Sequence, residues 1–477
     1  MAVASAPLRQ TQASNAGLAL GLAGLVALAL ACGVALAMGE IEALYVTLAA
    51  LACIAILMDF RVGAVLLILM LPLSATEFFP HQLMGVTGLN PVNVLTVGTL
   101  ASYLLRGRVA APARLVPAPV LWLYIVPILI AGLLGMQYVD DIAPAFVSIS
   151  YFTPVGYLRD EAVRPLLLVL VALLIGAAAA RSNKPEGFIT AIAVSACALA
   201  LVEFALILVA NVPIGALAAP RMRSFFTEIM GMHANGLGRV FVTAYALLLF
   251  VWWETKNPRV KAWLFVALGI LSFGILFTFS RNAFLGFFLA NGLFLLWKFN
   301  ARTLGLALLG LAIASALAPG YVYDRITFGF ATGSANVVSA GRIEGIWLPL
   351  LPEAWKSPLW GNGLSSILWS APIVNGDMEP FGHPHNAYLE AVLDMGVIGL
   401  ALLLAYYLHV WKGFRALGSN AYLTPEMRAF FQGAAAALIV YAVACGTGGS
   451  LRPSPENAFL WVAIGLMYGV LARKSAP

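Results

Sequence analysis

About fourteen runs of mostly apolar residues, each about 15 to 25 long, follow one another along this chain, and they leave few folds open to it. They fall near 17–38, 41–58, 62–78, 91–105, 117–136, 163–180, 187–210, 235–253, 262–279, 282–297, 303–318, 386–410, 429–446 and 456–472. A bilayer-crossing helix needs roughly 20 such residues. In hydrocarbon every backbone N–H and C=O must find an internal partner, so spans are helices or a closed barrel. These runs are continuous rather than alternating, which excludes the barrel. Composition agrees: 62% of the 477 residues are hydrophobic and 10% are charged, against about 25% charged in soluble domains. The expectation is an all-α polytopic membrane protein with 12–14 spans. The polar start is short, and the run at 17–38 reads as a retained first span rather than a cleaved signal.

Basic residues orient the spans, because cytoplasmic connections are enriched in Lys and Arg. With the N-terminus inside and the spans alternating, one face receives 17 of the 27 basic residues and only four acids, Asp59, Glu186, Glu254 and Glu426. The other face, counting outer halves of spans, holds 10 basic and 17 acidic residues. Both termini are therefore expected in the cytoplasm, and the net charge of +6 is a topology signal, not a sign of nucleic-acid binding. Arg221, Arg223, Arg281, Arg325, Arg342 and Arg452 fall outside, where orientation gives no reason for positive charge. As a group they ask for an anionic ligand at the outer surface. Cys32, Cys53, Cys197 and Cys445 show no spacing of a disulfide framework or zinc site.

The chain divides into N-terminal helices (1–218), central helices with outer arginines (219–318), a long outer loop (319–385) and C-terminal helices (386–477). The loop carries Trp347, Trp355, Trp360 and Trp369, a residue type that favours the membrane interface. Ile343, Ile346, Trp347, Leu350, Leu351, Ala354 and Trp355 form a helical apolar stripe, which Pro349 and Pro352 are expected to kink or break. The loop is expected to fold back onto the membrane as interfacial helices.

The loop ends in His385-Asn386, followed by nine residues and then Gly396-Val397-Ile398-Gly399. Three segments precede it. The first is Arg221-Met222-Arg223-Ser224 with His233-Ala234-Asn235. The second is Phe279-Ser280-Arg281-Asn282 at a tight outer turn. The third is Ser339-Ala340-Gly341-Arg342 with Trp347, then Lys356-Ser357-Pro358-Leu359-Trp360-Gly361-Asn362-Gly363. In this order, over roughly residues 220–400, they resemble the bacterial O-antigen ligase and polymerase superfamily. The first 200 residues match only as apolar spans. The resemblance implies an inner-membrane glycosyltransferase working on the periplasmic face. Its donor would be a glycan on undecaprenyl diphosphate, and its acceptor lipid A–core or a second lipid-linked glycan.

The residues suit that chemistry on their own terms. Guanidinium groups bind phosphate oxygens bidentately and stabilise a diphosphate leaving group without a metal or cofactor. Arg281 is the foremost candidate, then Arg342 and the Arg221/Arg223 pair. His385 is the candidate base for the acceptor hydroxyl. Asn386 would orient it or bind sugar, His383 competes with it, and His233 and Asn235 are further substrate contacts. Gly396 and Gly399 read as room for a neighbouring helix. The competing class is a transporter or flippase of lipid-linked glycans, which favours ionisable groups near mid-membrane; Glu203 is the clearest acid within a span.

Overall fold

The computed structural model describes residues 41–77, 79–83, 86–107, 115–146, 153–219, 223–317, 320–327 and 333–474. The expected span at 17–38 lies outside the described residues. Every later run is helical: α1 (Ile41–Met58), α2 (Phe60–Met70), α3 (Pro91–Ser102), α4 (Ala118–Asp141), α5 (Pro154–Arg181), α6 (Gly187–Val209), α7 (Ala234–Glu254), α8 (Pro258–Phe277), α9 (Arg281–Trp297), α10 (Ala301–Leu317), α11 (Ala387–Gly418), α12 (Pro425–Cys445) and α13 (Ala458–Lys474). Eight, α4–α8 and α11–α13, are long and apolar enough to cross a membrane; the others are shorter. Gln82–Leu83 and Val86–Thr87 form a small antiparallel pair.

Prolines punctuate these helices without breaking them. The π turns Leu121–Ile125, Arg159–Val163 and Ile343–Trp347 each end two residues before a proline: Pro127, Pro165 and Pro349. A proline has no N–H to donate, and its ring crowds the carbonyl four residues back. In all three cases that carbonyl lies inside the π turn, whose wider i→i+5 spacing relieves the crowding. Of the kink or break expected at Pro349 and Pro352, the break is absent and the distortion takes the form of a π turn. Residues 343–356 form one helical stretch, with Pro352 inside it.

α7 is the axis of the bundle, with 89% of its 18-residue apolar stretch buried, against 33% for α8, which turns Phe265, Val266 and Phe273 outward. α5 and α13 approach until their backbones touch. A Cβ on Gly465 would lie 1.9 Å from the Ala172 carbonyl oxygen, and one on Gly469 2.0 Å from that of Gly176. Small residues four apart are what such a contact requires.

Contacts sort the helix ends as the charge pattern does. At one end Arg61 donates to the Arg181 carbonyl (3.4 Å), Lys298 pairs with Glu254 (2.6 Å) and Thr424 donates to Glu186 (2.7 Å). Arg415 lies 5.0 Å over the Trp297 ring and Arg302 5.4 Å over Trp253, a cation–aromatic rim. The opposite end holds Arg342, His385 and Arg452. The long loop does not simply lie on that end. Leu364, fully buried, donates its N–H to the Ala131 carbonyl of α4 (3.2 Å) and accepts from the Tyr157 hydroxyl of α5 (2.5 Å). The loop thus dips between the helices. Trp347 and Trp369 turn partly inward, while Trp355 and Trp360 stay exposed.

The alternation makes a testable statement about sidedness. With the native cysteines replaced, a cysteine at exposed Asn375 should react with a membrane-impermeant maleimide in spheroplasts. One at Tyr422, 95% exposed at the basic end, should react only after the membrane is opened. The reverse pattern would invert the orientation.

Candidate functional site

α11 is not one helix. Gly396 has φ +65° and ψ −175°, so Ala387–Met395 and the stretch from Val397 onward are separate helices joined at a break. A broken helix exposes amides on one side and carbonyls on the other. The loop satisfies both. Pro358 and Leu359 carbonyls accept from Val397 (2.9 Å) and Ile398 (3.3 Å), while Asn362 and Gly363 amides donate to Leu393 (2.8 Å) and Asp394 (3.0 Å). The proline-glycine loop segment and the G-x-x-G segment are therefore two halves of one clasp. Gly396 does not serve helix–helix approach, as its sequence context suggested. A Cβ there would sit 2.3 Å from the Leu359 carbonyl carbon.

Above the break, Asn386 caps α11 by accepting from Tyr388 (3.1 Å) and Leu389 (3.2 Å). This places His385 at the mouth, held with φ +52°. Its amide donates to His383 Nδ1 (3.3 Å), and the two rings lie 4.0 Å apart. The Trp347 indole N–H donates to the Pro384 carbonyl (2.9 Å), tying the loop helix to this turn. Burial, and then the positive neighbourhood of His383, Arg342, His233 and Arg239, push the His385 imidazole down to about 3. His383, at the more open rim, is lowered by desolvation in the same direction. His385 is thus a neutral imidazole in an electropositive pocket.

His233 and Arg239 of α7 and Arg342 of the loop supply that pocket's positive neighbours, and the start of α9 is braced against α7. His233 caps α7, its Nδ1 accepting from the Asn235 amide (3.1 Å), and Arg239 follows one turn after Asn235 and pairs with Glu456. Ser280 caps α9, donates its hydroxyl to Asn235 (2.7 Å) and so sets the position of Arg281. Arg325 donates to the Phe279 carbonyl (3.1 Å) and braces the same turn. Arg342 donates to the Thr447 carbonyl. Gly448 and Gly449 lie against Arg239 and, for Gly448, Asn282. Among the described residues, four of the five non-glycine positions with positive φ fall in this machinery or beside the clasp: Phe279 (+44°), Ala340 (+58°), Ser365 (+57°) and His385 (+52°). Such backbone is uncommon and persists where surroundings over-determine it.

Several sequence assignments change. Asn386, expected to orient His385 or to bind sugar, and Asn235, expected to contact substrate, have their side-chain oxygens engaged in capping α11 and in bracing Ser280. Arg452, counted among anion-seeking arginines, is claimed by Glu161 (2.8 Å) and Glu390 (2.9 Å). Around it Ser365 donates to Glu161, Ser450 donates to Glu390 (3.1 Å), and Asp394 accepts from the Ser365 amide (2.9 Å), the Ser366 amide (3.0 Å) and the Ser366 hydroxyl (2.9 Å). This buried network holds the outer ends of α5, α11 and the 446–454 turn to the loop. Arg221 lies outside the described residues, and Arg223 opens the short helix Arg223–Ile229. Arg239 was not singled out; its signal was a cation one turn after Asn235, inside a span. Among the described residues, no three His, Cys, Asp or Glu side chains are grouped to hold a metal ion.

A family model described as O-antigen ligase matches residues 266–404. The match runs from α8 through Arg281, Arg342 and His385 to beyond the break in α11. It leaves out His233, Arg239 and the 446–456 turn, which complete the pocket. No curated protein matches the chain.

Two outcomes are expected. Gly396→Ala forces a side chain into left-handed backbone and against Leu359, so the clasp should open; a destabilisation of about 1–3 kcal/mol or more should appear as a lower melting temperature in nanodiscs. Below about pH 6.5 the unfolded chain takes up a proton that folded His385 refuses. Stability should therefore fall as pH drops from about 6.5 toward 3, by at most ~1.4 kcal/mol per pH unit, and be independent of this group above that range. His385→Gln should flatten that part of the slope, and an unchanged slope would remove His385 as its source.

Proposed function

We propose that this chain, a member of the O-antigen ligase/polymerase superfamily, moves a glycan from an undecaprenyl-diphosphate carrier to an acceptor hydroxyl at the periplasmic face of the bacterial inner membrane. The acceptor is lipid A–core or a second lipid-linked glycan. One observation carries the reading: His385 stands at a helix mouth capped by Asn386, its ring 4.0 Å from that of His383, with Arg342, Arg239 and His233 around it. A cationic pocket suits a diphosphate, and an unprotonated imidazole suits a hydroxyl that must lose its proton.

In this mechanism Arg342 and Arg281, with Arg239, bind the diphosphate. The acceptor oxygen attacks the anomeric carbon from the side opposite the phosphate. The bond from that carbon to the phosphate oxygen breaks, its electron pair leaves with undecaprenyl diphosphate, and the anomeric centre inverts. The acceptor proton passes to His385. Donor binding strengthens this base, because a nearby anion favours the imidazolium and raises a depressed pKa. The guanidiniums stabilise charge on the departing phosphate.

Purified protein in nanodiscs, given the lipid-linked glycan and each acceptor, should form the transferred product; failure with every acceptor would overturn the reading. His385→Ala should lose roughly 10²–10⁴-fold in turnover while keeping donor binding, with His383→Ala milder. A His385→Gln variant that keeps most turnover would make His385 a positioning residue instead. Arg281→Ala and Arg342→Ala should each cost about ten- to a hundred-fold, and Arg281→Lys should also be impaired because lysine lacks the fork.

A further inference from the structure

A cavity of about 1230 Å³ opens away from the histidine pocket, between the outer end of α4 and residues 350–375 of the loop. That is wider than most small-ligand sites, at ~300–1,000 Å³. Its lining is aromatic and polar together. Trp360 is 59% exposed, and Trp369 stacks on Tyr138 with centroids 5.5 Å apart and planes 19° from parallel. The Trp369 indole N–H is buried and has no hydrogen-bond partner among the described residues. Gln137, Asp140, Asp141 and Asn375 present exposed amides and carboxylates. Glu353 is paired with Lys356 (2.7 Å), so the two aspartates leave the cavity net negative.

These properties exclude two occupants. A diphosphate would meet Asp140 and Asp141 rather than a guanidinium. An acyl chain would strip water from groups that it cannot hydrogen-bond. A neutral sugar chain fits both halves: the C–H faces of pyranose rings lie on indole, and their hydroxyls bond to amides and carboxylates. The cavity and the pocket share one short helix, Ala387–Met395. Leu393 lines it and stands eight residues along α11 from His385, ~12 Å at helical rise. Ser366 lines it too and donates to Asp394 beside the clasp.

We propose that this cavity is a carbohydrate cleft that holds rings of a neutral oligosaccharide several sugars away from the bond formed at His385. The proposal rests on the glycosyltransferase reading above and adds where the glycan lies. Binding energy from remote rings would position the reacting end. Donor and acceptor glycans share this chemistry, and the test separates them.

Full-length protein in nanodiscs is titrated calorimetrically with two probes: the delipidated, phosphate-free repeat oligosaccharide of the producing strain's surface polysaccharide, and its delipidated core oligosaccharide. One probe should bind, the repeat if the cleft serves the donor or a lipid-linked acceptor, the core if it serves lipid A–core. Trp360→Ala should weaken that binding about ten-fold or more. The Asp140→Asn/Asp141→Asn pair should weaken it too, raising KM for the matching substrate with kcat within about two-fold. The aspartates sit at the exposed end of α4, so this pair answers even if Trp360→Ala, whose backbone lies in the clasp, fails to fold. If neither probe binds, or both variants bind as wild type, the cleft is wrong. Transfer that persists with unaltered KM sinks the cleft alone, whereas a probe that binds a protein incapable of transfer sinks the glycosyltransferase reading and leaves the cleft.

Discussion

The clasp between the loop and the broken helix α11 is the contact on which the outer half of the molecule depends. A helix interrupted within an apolar bundle leaves amides and carbonyls that no lipid can satisfy. Here four backbone hydrogen bonds from residues 358–363 take their place. The same bonds fix a long loop to the bundle, so that its helix can present Arg342 at one end and the wall of the cleft at the other. They also fix Ala387–Met395 as a short independent helix, whose capped start carries His385. Stretched as one straight helix, α11 would have no reason to admit the loop, and His385 would lose the partner helix that anchors Pro384.

Two charge systems meet along that short helix and do different work. Glu390 stands five residues from His385, ~7 Å along the axis, and belongs to the network around Arg452. There a single guanidinium answers Glu161 and Glu390 with serine hydroxyls filling in. Removing one partner from such a buried pair strands the other, which is why it behaves as a structural rivet. The pocket above is cationic, and its Arg239–Glu456 pair fixes α7 to the turn before α13. With Glu161 and Glu390 both held by Arg452, the charged neighbours felt at His385 are the cationic ones, Arg342 and Arg239 among them.

Much of this was legible in the sequence. Continuous apolar runs gave the helices from 41 onward, because lipid enforces a period-free pattern that needs no tertiary knowledge. Charge bias sorted the two ends as contacts such as Lys298–Glu254 sort them. The His385 and Gly396 segment was recognisable as important, but its physical reason was not, since φ +65° at one glycine and the loop that fills the break depend on residues 358–363, far off in the chain. The structural roles of Asn386 and Asn235 were hidden for a related reason: an asparagine beside a catalytic candidate and an asparagine at a helix cap look alike until the helix start is known. The prolines of the loop mark a distortion, and whether it ends the helix is not local information: here a π turn upstream removes the clash. Arg239 and Arg452 each meet long-range carboxylates that no local spacing announces, Glu456 for the first and Glu161 and Glu390 for the second.

Backbone strain links these observations to function. Left-handed φ at Phe279, Ala340 and His385 lies within two residues of Arg281 and Arg342, or on the candidate base itself. Each such residue costs of order 1–3 kcal/mol, a substantial fraction of the stability of any domain. A purely structural bundle gains nothing from placing them together, since glycine removes most of the cost and occurs freely elsewhere in this chain. At these positions, however, the side chain that follows must leave a helix start at a fixed angle: Ser280 to cap α9, Arg342 to begin the loop helix, and Asn386 to cap α11. The strain is the consequence of turning the chain sharply into three helix starts that face one another. Capping by Ser280 and Asn386, and the hydrogen bonds from Arg325 to Phe279 and from Trp347 to Pro384, offset it locally. What the arrangement achieves is rigidity: a cation and an imidazole whose positions are set before any substrate arrives, the condition under which electrostatic stabilisation of a departing diphosphate needs least reorganisation.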